Sequence, residues 1–426
     1  MATVTVDQAK LVLNAFAAIF QNNLVSADLV TWKKFDGEMN DRNALTVVEQ
    51  VVPDYTTTFT TNVVNDLTAG VQDTTFGSEQ YKLTQVVGSS MGWADFVKIR
   101  DIGAARESEA LKAAALRLAT DIDAYIIGFA AKASNNWLGD GDSNVATFDD
   151  VASGYTRLKD EGCEDMDLRA VLTYHDKQAL GSDVVSDNAA LASMGQGTYR
   201  SGFSGTVAGI PTLFTQQLPA LTTGTRLQTS ALTAGTADSA TTYESVAISG
   251  APGQFKSQIL NMDIGSGTET IKDGEVFTIA GVYAYDNRAK KALGHLQQFR
   301  VIGDWTATGG VVAPRVFPAI ITSGPYRTVA QAAANTAAVT FIGGVSAVLH
   351  PRFIANKQAV VVNTADLIMP ATGIASRKSL TKVPLSVRMW QDSVFATGEH
   401  RVRFDVAVEA NVRANGRPRS VRINGS

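Results

Sequence analysis

Residues Ala104 to Ala133 carry one unbroken helical pattern in a chain that otherwise reads as strands and loops. Leu111, Ala115, Leu118, Ile122, Ile126 and Phe129 recur every three or four positions, which lines them up as a single apolar stripe. The stretch has no Pro, and its one Gly, Gly128, sits near the far end, where a weak point matters least. Thirty helical residues at ~1.5 Å each make a rod of about 45 Å. A rod with one narrow stripe serves as a strut. It points to an extended subunit packed among others before it points to an enzyme.

The remaining composition agrees. The 426 residues leave room for about two or three domains with a sizeable core. Apolar residues make up 45%, but charged residues only 18%, against the ~25% usual in soluble domains. Thr, Ala, Ser and Gly fill the difference, and a surface of that kind costs little to desolvate against neighbours. A net charge of −4 argues against a general binder of nucleic acid or anionic membrane, which needs clustered Lys and Arg. The single Cys163 leaves no disulfide framework and no Cys-rich zinc site; it suits a reducing cytosol and reads as a small core filler in a turn. No stretch approaches the ~20 apolar residues that span a bilayer. The start, Met-Ala-Thr-Val-Thr-Val-Asp, lacks a signal peptide's basic and apolar regions, so use in the cytosol or release by lysis is expected.

Thr5-Val6-Asp7-Gln8 reads as a capping box opening a helix with Val12, Phe16, Ile19 and Phe20 on one face, ending near Asn22-Asn23. Two readings stay open: an arm awaiting a partner, or a helix docked on its own core. Residues 45–87 are β-rich. Asp54 to Thr61 and Glu79 to Val87 predict a long Thr-rich hairpin exposed on both faces. A lone hairpin is barely stable in water, so this one is expected to lie on something else, such as another subunit. Thr147-Phe-Asp-Asp150 is a second capping box; its helix runs through Val151, Tyr155 and Leu158 and closes at Gly162. A buried strand, Arg169 to Tyr174, and a helical turn, Asp176 to Leu180, complete a mixed α/β unit. Residues 222–250 have loop or edge-strand composition, with Arg226, Asp238 and Glu244 as their only charges. Glu275 to Tyr283, Gln298 to Ile302 and Arg315 to Ile321 then predict a small all-β barrel or sandwich inserted in the chain. Mixed structure resumes at Phe341 and ends in strands around Leu385–Trp390 and His400–Ala410.

Chemistry candidates are few. Gly88-Ser-Ser90-Met-Gly92 matches the G-x-S-x-G nucleophile elbow, but antiparallel-looking ribbon precedes it and no oxyanion segment is near, so a turn between hairpin and helix is the better reading. Asp140-Gly-Asp142-Ser-Asn144 starts like an EF-hand loop. It carries Val145 where the loop needs Gly and Val151 where it needs Glu, which leaves an Asx-rich turn. His175, His295, His350 and His400 form no zinc pattern. Gly265-Ser-Gly267 and Gly195-Gln-Gly197 lack a dinucleotide loop's third glycine, and no phosphate loop exists. Arg401, Arg403, Arg413, Arg417, Arg419 and Arg422 read as strand-face arginines pairing with acids of the same or an adjacent subunit, with a DNA-contacting tail as the other reading. No catalytic, cofactor-binding or metal-binding residue is expected.

Arm helix, two-stranded loop and long helix, in that order, resemble the HK97-like major capsid proteins of tailed bacteriophages. Phe148–Tyr174, Val348-Leu-His-Pro-Arg-Phe-Ile354, Ala359-Val-Val-Val and Asp366-Leu-Ile-Met-Pro370 are similar to that family's A-domain. Ile271 to Val282, Ala289-Lys-Lys-Ala-Leu293 and Gln298 to Ile302 look like the β-barrel I-domain inserted in the Salmonella podophage coat proteins, the nearer likeness. The resemblance implies an α+β fold with an N-terminal arm (1–47), an E-loop (48–82), a P-domain with its spine helix (83–134), an A-domain in two parts (135–217 and 339–383), an I-domain (218–338) and C-terminal P-domain strands (384–426). It implies a structural subunit forming hexamers and pentamers in an icosahedral shell around double-stranded DNA, with scaffolding and portal proteins as partners. It places the protein in the virion, after assembly in the host bacterial cytoplasm. The charged I-domain loop of related coats has a charge-poor counterpart near 230–250, and nothing here identifies the acid, Lys and Asn of autocatalytic cross-linking. A β-rich tail protein or adhesin and an esterase built on Ser90 are the alternatives.

Overall fold

The computed structural model describes residues 6–39, 45–51, 77–93, 109–141, 143–145, 147–163, 167–187, 206–233, 257–286, 288–324, 326–370, 373–394, 399–413 and 419–425. The chain forms two compact units, the first from Met1–Val47, Tyr81–Ala130 and Val360–Val412, the second from Val48–Gln80, Ala131–Ala359 and Arg413–Ser426. The class is α+β, with four helices of a dozen residues or more among the described residues: α1 (Val6–Asn22), α2 (Glu109–Ala133), α3 (Phe148–Asp160) and α4 (Tyr174–Asp187).

The first unit is organised by one long strand, Glu399–Val412. Along its first half it pairs antiparallel with both Val86–Trp93 and Ser386–Val394, and along its second half with Val360–Leu367. Thr31–Met39 adds parallel to Val360–Leu367, and Ile374–Ser379 closes the far side against Ser386–Val394. Alternation puts Val402, Phe404 and Val406 on a buried face, where α1 packs: the Phe16 ring lies flat on Phe404, centroids 3.9 Å apart at 3°. Leu13, Phe16 and Phe20 are essentially buried, so α1 is docked on its own unit and is no free arm; Ile19 is only half-buried. The capping box at Thr5–Gln8 begins outside the described residues.

The strut is present as α2, 25 residues long, with Leu111, Ala115, Leu118, Ile122 and Ile126 buried as its spacing predicts. Phe129 is only half-buried, and Ala104 to Ser108 lie outside the described residues. One polar residue sits among the stripe. Asp123 is 3% exposed and accepts hydrogen bonds from the Val25 and Ser26 amides at 2.8 and 2.9 Å, supplying from 97 residues away the cap that Leu24 cannot give the short 3-10 turn Val25–Asp28.

Leu45–Val51 and Gly77–Leu83 pair as a two-stranded ribbon; the expected strand Asp54 to Thr61 falls outside the described residues. The returning strand stops short of Val87. The Thr84 amide and hydroxyl both donate to the Glu409 carboxylate, and Val86 starts a new strand against Ala407. Nor is the ribbon exposed throughout, because Tyr81 and Leu83 are buried with Phe35, Val361, Ala365, Leu367 and Ala407.

The second unit holds two large sheets and, among the described residues, two short pairings, Thr270–Ile271 with Trp305–Thr306 and Leu221–Thr222 with Val348–Leu349. A six-stranded mixed sheet runs Asn136–Leu138, Ser420–Ile423, Arg352–Asn356, Leu168–Leu172, Ile210–Phe214, Thr206–Val207. On it lies α3, whose ends match the sequence. Thr147 and Asp150 exchange both capping-box bonds, and past Glu161 the amides of Gly162 (φ +81°) and Cys163 return to Lys159 and Leu158, the Schellman pattern. Tyr174 belongs to α4, not to the strand before it, which ends at Leu172. An eight-stranded sheet runs Gln258–Ile259, Arg315–Phe317, Lys291–Ile302, Val276–Asp286, Ala338–Phe341, Thr229–Leu232, Met262–Asp263, Val311–Val312, antiparallel throughout, around a core with Phe277, Phe299 and Phe341 at its centre. The strand expected over Arg315 to Ile321 ends at Phe317 because Pro318 has no amide to donate; the Ile320 and Ile321 amides go instead to the Gln258 and Thr328 side chains. The strand at Gln298 begins earlier, at Lys291. Thr229–Leu232, inside the stretch with loop composition, is an inner strand of this sheet, and Ala338–Phe341 carries the sheet past residue 338. The chain passes between units at 359/360 and 412/413: Val360–Leu367 and Ile374–Ser379 join the first unit's sheet, and Ser420–Ile423 the second's.

Candidate functional site

The side chains that the sequence singles out for chemistry are placed one by one, and among the described residues they do not come together at one place. Ser90 lies within the strand Val86–Trp93, opposite Arg403, so it is at neither a turn nor a strand–helix apex. That geometry removes the nucleophile elbow and corrects the expected turn. The Asp140 carboxylate is spent on the amide and hydroxyl of Ser143, an Asx turn, while Asn144 accepts from Arg352; Asp142 is outside the described residues. Of the histidines, His295 faces Glu161 at 3.2 Å, whereas His175 and His350 are exposed. Among the described residues no three His, Cys, Asp or Glu side chains lie close enough to hold a metal ion, and no helix is long and apolar enough to cross a membrane. Cys163 is buried behind the glycine that ends α3.

The polar chemistry is concentrated instead in buried joints. Asp405, fully buried, receives Arg388 at 2.6 Å and Arg403 at 2.5 Å from adjacent strand positions, with Gly88 across the pair leaving room for the carboxylate. In the second unit Asp176 caps its own helix through Thr173, accepts the Val145 amide at 3.1 Å and pairs with the buried Arg352 at 3.0 Å. Glu161 collects Arg157 at 2.8 Å, His295 at 3.2 Å and the side-chain Nδ2 of Asn136 at 2.6 Å. Arg226 and Glu275 form a pair at 3.2 Å, both almost wholly buried. Desolvation pushes Glu275 up and Arg226 down, each partly restored by the other's charge.

A cationic clamp closes the end of α2. Its last carbonyls have no helical partner. Arg300 donates to Lys132 O at 3.1 Å; Arg422 donates to Lys132 O and Ser134 O at 2.8 Å and to Gly274 O at 2.6 Å, its guanidinium 4.7 Å over the Trp137 ring. Burial, and then the neighbouring Arg300 charge, lower Arg422 to about 9. Thus Arg403 and Arg422 serve inside the chain, Arg413 and Arg419 share the Gln358 side chain, and Arg401 lies on the strand face opposite Asp392; only Arg417 is outside the described residues. Pairing with a strand-face acid is seen for Arg403, and burial for Arg422.

Sequence reasoning missed Asp123, the Arg226–Glu275 pair and the hub at Glu161. The one available signal was Arg226, an isolated charge in a Thr/Gly-rich stretch; Glu161 and Glu275 stand among other charged residues, where nothing local marks them.

Among the described residues these features are buried ion pairs and hydrogen-bonded joints that tie neighbouring elements together. No curated protein matches the chain by sequence. Among solved structures it is similar to one from Mycobacterium phage Che8 (12% identity, TM-score 0.41, covering 90% of this chain and 86% of that one), to the mature capsid of bacteriophage PhiM1 (10%, 0.42, 94% and 86%) and to the capsid of Ralstonia phage GP4 (8%, 0.41, 95% and 88%). Scores this low carry no weight by themselves. A family model described as P22 coat protein, gene protein 5, matches residues 1–421. The chain therefore belongs to the P22 coat protein family and is a structural major capsid protein of the phage virion.

Proposed function

We propose that this chain assembles as hexamers and pentamers into an icosahedral shell that encloses double-stranded DNA without reading its sequence, and that it performs no catalysis. The observation that carries this reading is the coat-family match over residues 1–421. The architecture supports it. We assign the first unit to the arm and P-domain, with α2 as the spine helix and with Val360–Leu367 and Ile374–Ser379, expected in the A-domain, included in it; the paired strands Leu45–Val51 and Gly77–Leu83 to the E-loop; the sheet from Asn136–Leu138 to Thr206–Val207, with Ser420–Ile423, to the A-domain; and the eight-stranded sheet, through Phe341, to the I-domain. Because α1 spends its apolar face on its own sheet, a contact with a scaffolding protein or a neighbour would use its outer face, where Leu11 is 45% exposed. The ribbon is the element we assign to a neighbouring subunit. Each contact can be weak, since a closed shell repeats it many times and apolar burial at ~25 cal/mol per Å² accumulates. Scaffolding and portal proteins are the proposed partners, and the host bacterial cytoplasm the proposed place of assembly.

Electron microscopy of the expressed chain, alone and with its phage's scaffolding protein, tests the reading. Closed shells of uniform size are expected; monomers or amorphous aggregates under both conditions would refute it. An esterase screen of the chain and its Ser90→Ala variant should read zero for both.

A further inference from the structure

The sequence contains the dipeptide Asn-Gly at Asn415-Gly416 and at Asn424-Gly425. Asn followed by Gly is the sequence in which an amide side chain is most easily lost, because Gly has no side chain to shield its own backbone nitrogen or to restrict its approach. The structure holds every group of Asn424-Gly425 that this reaction needs. Asn424 is 3% exposed. Its Nδ2 donates to Ser143 O at 3.0 Å and His350 O at 3.1 Å, and its Oδ1 accepts from Trp137 Nε1 at 2.9 Å. Its own amide is bound to Leu138 O, and the Gly425 amide, the attacking nitrogen, to Ser143 O at 3.2 Å. Nucleophile and carboxamide share the Ser143 carbonyl, and Trp137 and His350 hold the carboxamide from its other sides, so its Cγ is not free to turn onto the Gly425 nitrogen; a Cβ at Gly425 would run into Asn144 O.

We propose that Asn424-Gly425 is a deamidation site gated by folding: closed while the second unit is folded, open whenever it is not. In the open state the Gly425 nitrogen attacks Asn424 Cγ, the C–N bond to the side-chain nitrogen breaks, and ammonia leaves with the amide proton. Water then opens the five-membered imide at either carbonyl, giving aspartate or its β-linked isomer. Neither product fits the native site. Both Nδ2 donors are gone, so the Ser143 and His350 carbonyls, which also accept from Arg352, each lose one donor and meet a carboxylate in its place. The β-linked isomer also lengthens the main chain beside Ser420–Ile423, an inner strand of the sheet. Deamidation therefore retires a chain that stays unfolded, and a chain folded in time is spared.

The wild-type protein tests this. Incubate it at mildly alkaline pH in native buffer and in concentrated urea, and follow both dipeptides by peptide mass spectrometry. Residue 424 is expected to deamidate in urea at least ten-fold faster than in native buffer; equal rates would overturn the gate. Then dilute the urea-aged sample into native buffer and separate refolded from aggregated protein. Modification at 424 should concentrate in the aggregate relative to modification at 415. Equal partitioning of the two sites would overturn the claim that the product cannot refold.

Discussion

The carboxamide of Gln298 completes the backbone of Trp137. Its Oε1 accepts the Trp137 amide at 2.6 Å and its Nε2 donates to the Trp137 carbonyl at 2.8 Å. Trp137 lies on Asn136–Leu138, at the edge of the six-stranded sheet, while Gln298 lies on Lys291–Ile302 in the eight-stranded one. Parallel pairing with Ser420–Ile423 uses the groups of Asn136 and Leu138. A single side chain thus stands in for a further strand, covering an edge that would otherwise be open to pairing. Gln298→Leu keeps the bulk and removes both bonds, leaving a buried amide and a buried carbonyl unpaired at ~1–3 kcal/mol each. A loss of about 3 kcal/mol is expected in urea unfolding of the purified chain; a change below about 0.5 kcal/mol, the scale of a neutral surface substitution, would show that the edge needs no cover.

Gly154 sets two effects against each other. It sits inside α3, where Ala would gain about 1 kcal/mol of helix propensity. A Cβ there would lie 2.7 Å from Ile423 Cγ2 and 2.9 Å from Ile354 Cδ1, inside a packed core. Overpacking costs about 1–3 kcal/mol, so it wins, and Gly154→Ala should be the less stable protein by about 1 kcal/mol. Gly128, within α2 with nothing within 4 Å of its Cβ position, is the control; there Ala should stabilise. Thermal melts of the two variants should shift in opposite directions, and a shared direction would contradict the packing account.

Acid should loosen the first unit at Asp366. Burial pulls its pKa up, but bonds from Lys34 and Ser386 and the charges of Arg377 and Lys34 outweigh it, and the net shift is downward. A lowered folded pKa contributes stability that is complete above the unfolded value of about 4 and is lost as pH falls through the folded value. Asp123 runs the other way. Desolvation outweighs its bonds to Ser26 and Val25 and raises it, so its contribution is complete below the unfolded value and fades as pH rises through the folded one. Urea midpoints against pH should show a flatter acid limb for Asp366→Asn than for the parent. For Asp123→Asn the decline above the ordinary carboxylate range should shrink. Curves superimposable on the parent's would exclude these two groups.

How far the sequence reached depends on what kind of signal each element left. The α2 stripe, the capping box at Thr147–Asp150 and the stop at Gly162 are local patterns, and each reappears in place because neighbouring residues alone determine it. Boundaries that tertiary partners decide were not legible. The ribbon ends at Thr84 because Glu409, distant in sequence, takes its amide, and α1 docks because Phe404 offers it a flat ring. Thr229–Leu232 looked like loop because Thr, Ser and Ala carry little pattern, yet the pairing on both its sides makes it inner sheet. The buried joints were the least visible. Arg226, Glu275 and Asp123 are single charges whose partners lie many residues away, and charge alone does not reveal burial.

The clamp at Arg422 gives an ordering that neither charge nor size alone would give. Replacing a buried ion by an apolar residue is often neutral or better, because desolvation of the cation is relieved. Here that relief is real, since burial and the Arg300 charge hold Arg422 down at about 9. Against it stand the carbonyls. Lys132 O keeps Arg300, but no bond other than those from Arg422 is seen to Gly274 O or Ser134 O among the described residues. Two buried acceptors lost at ~1–3 kcal/mol each, less the relief, leave Arg422→Met about 2 kcal/mol less stable. Lys is the harsher change. It keeps a cation in the same buried place, but its compact head lacks the planar fork that reaches three carbonyls while lying over Trp137. Arg422→Lys should therefore unfold at lower urea than Arg422→Met, although it preserves the charge. The reverse order would mean that charge at the end of α2, through the helix dipole, outweighs the geometry of the hydrogen bonds.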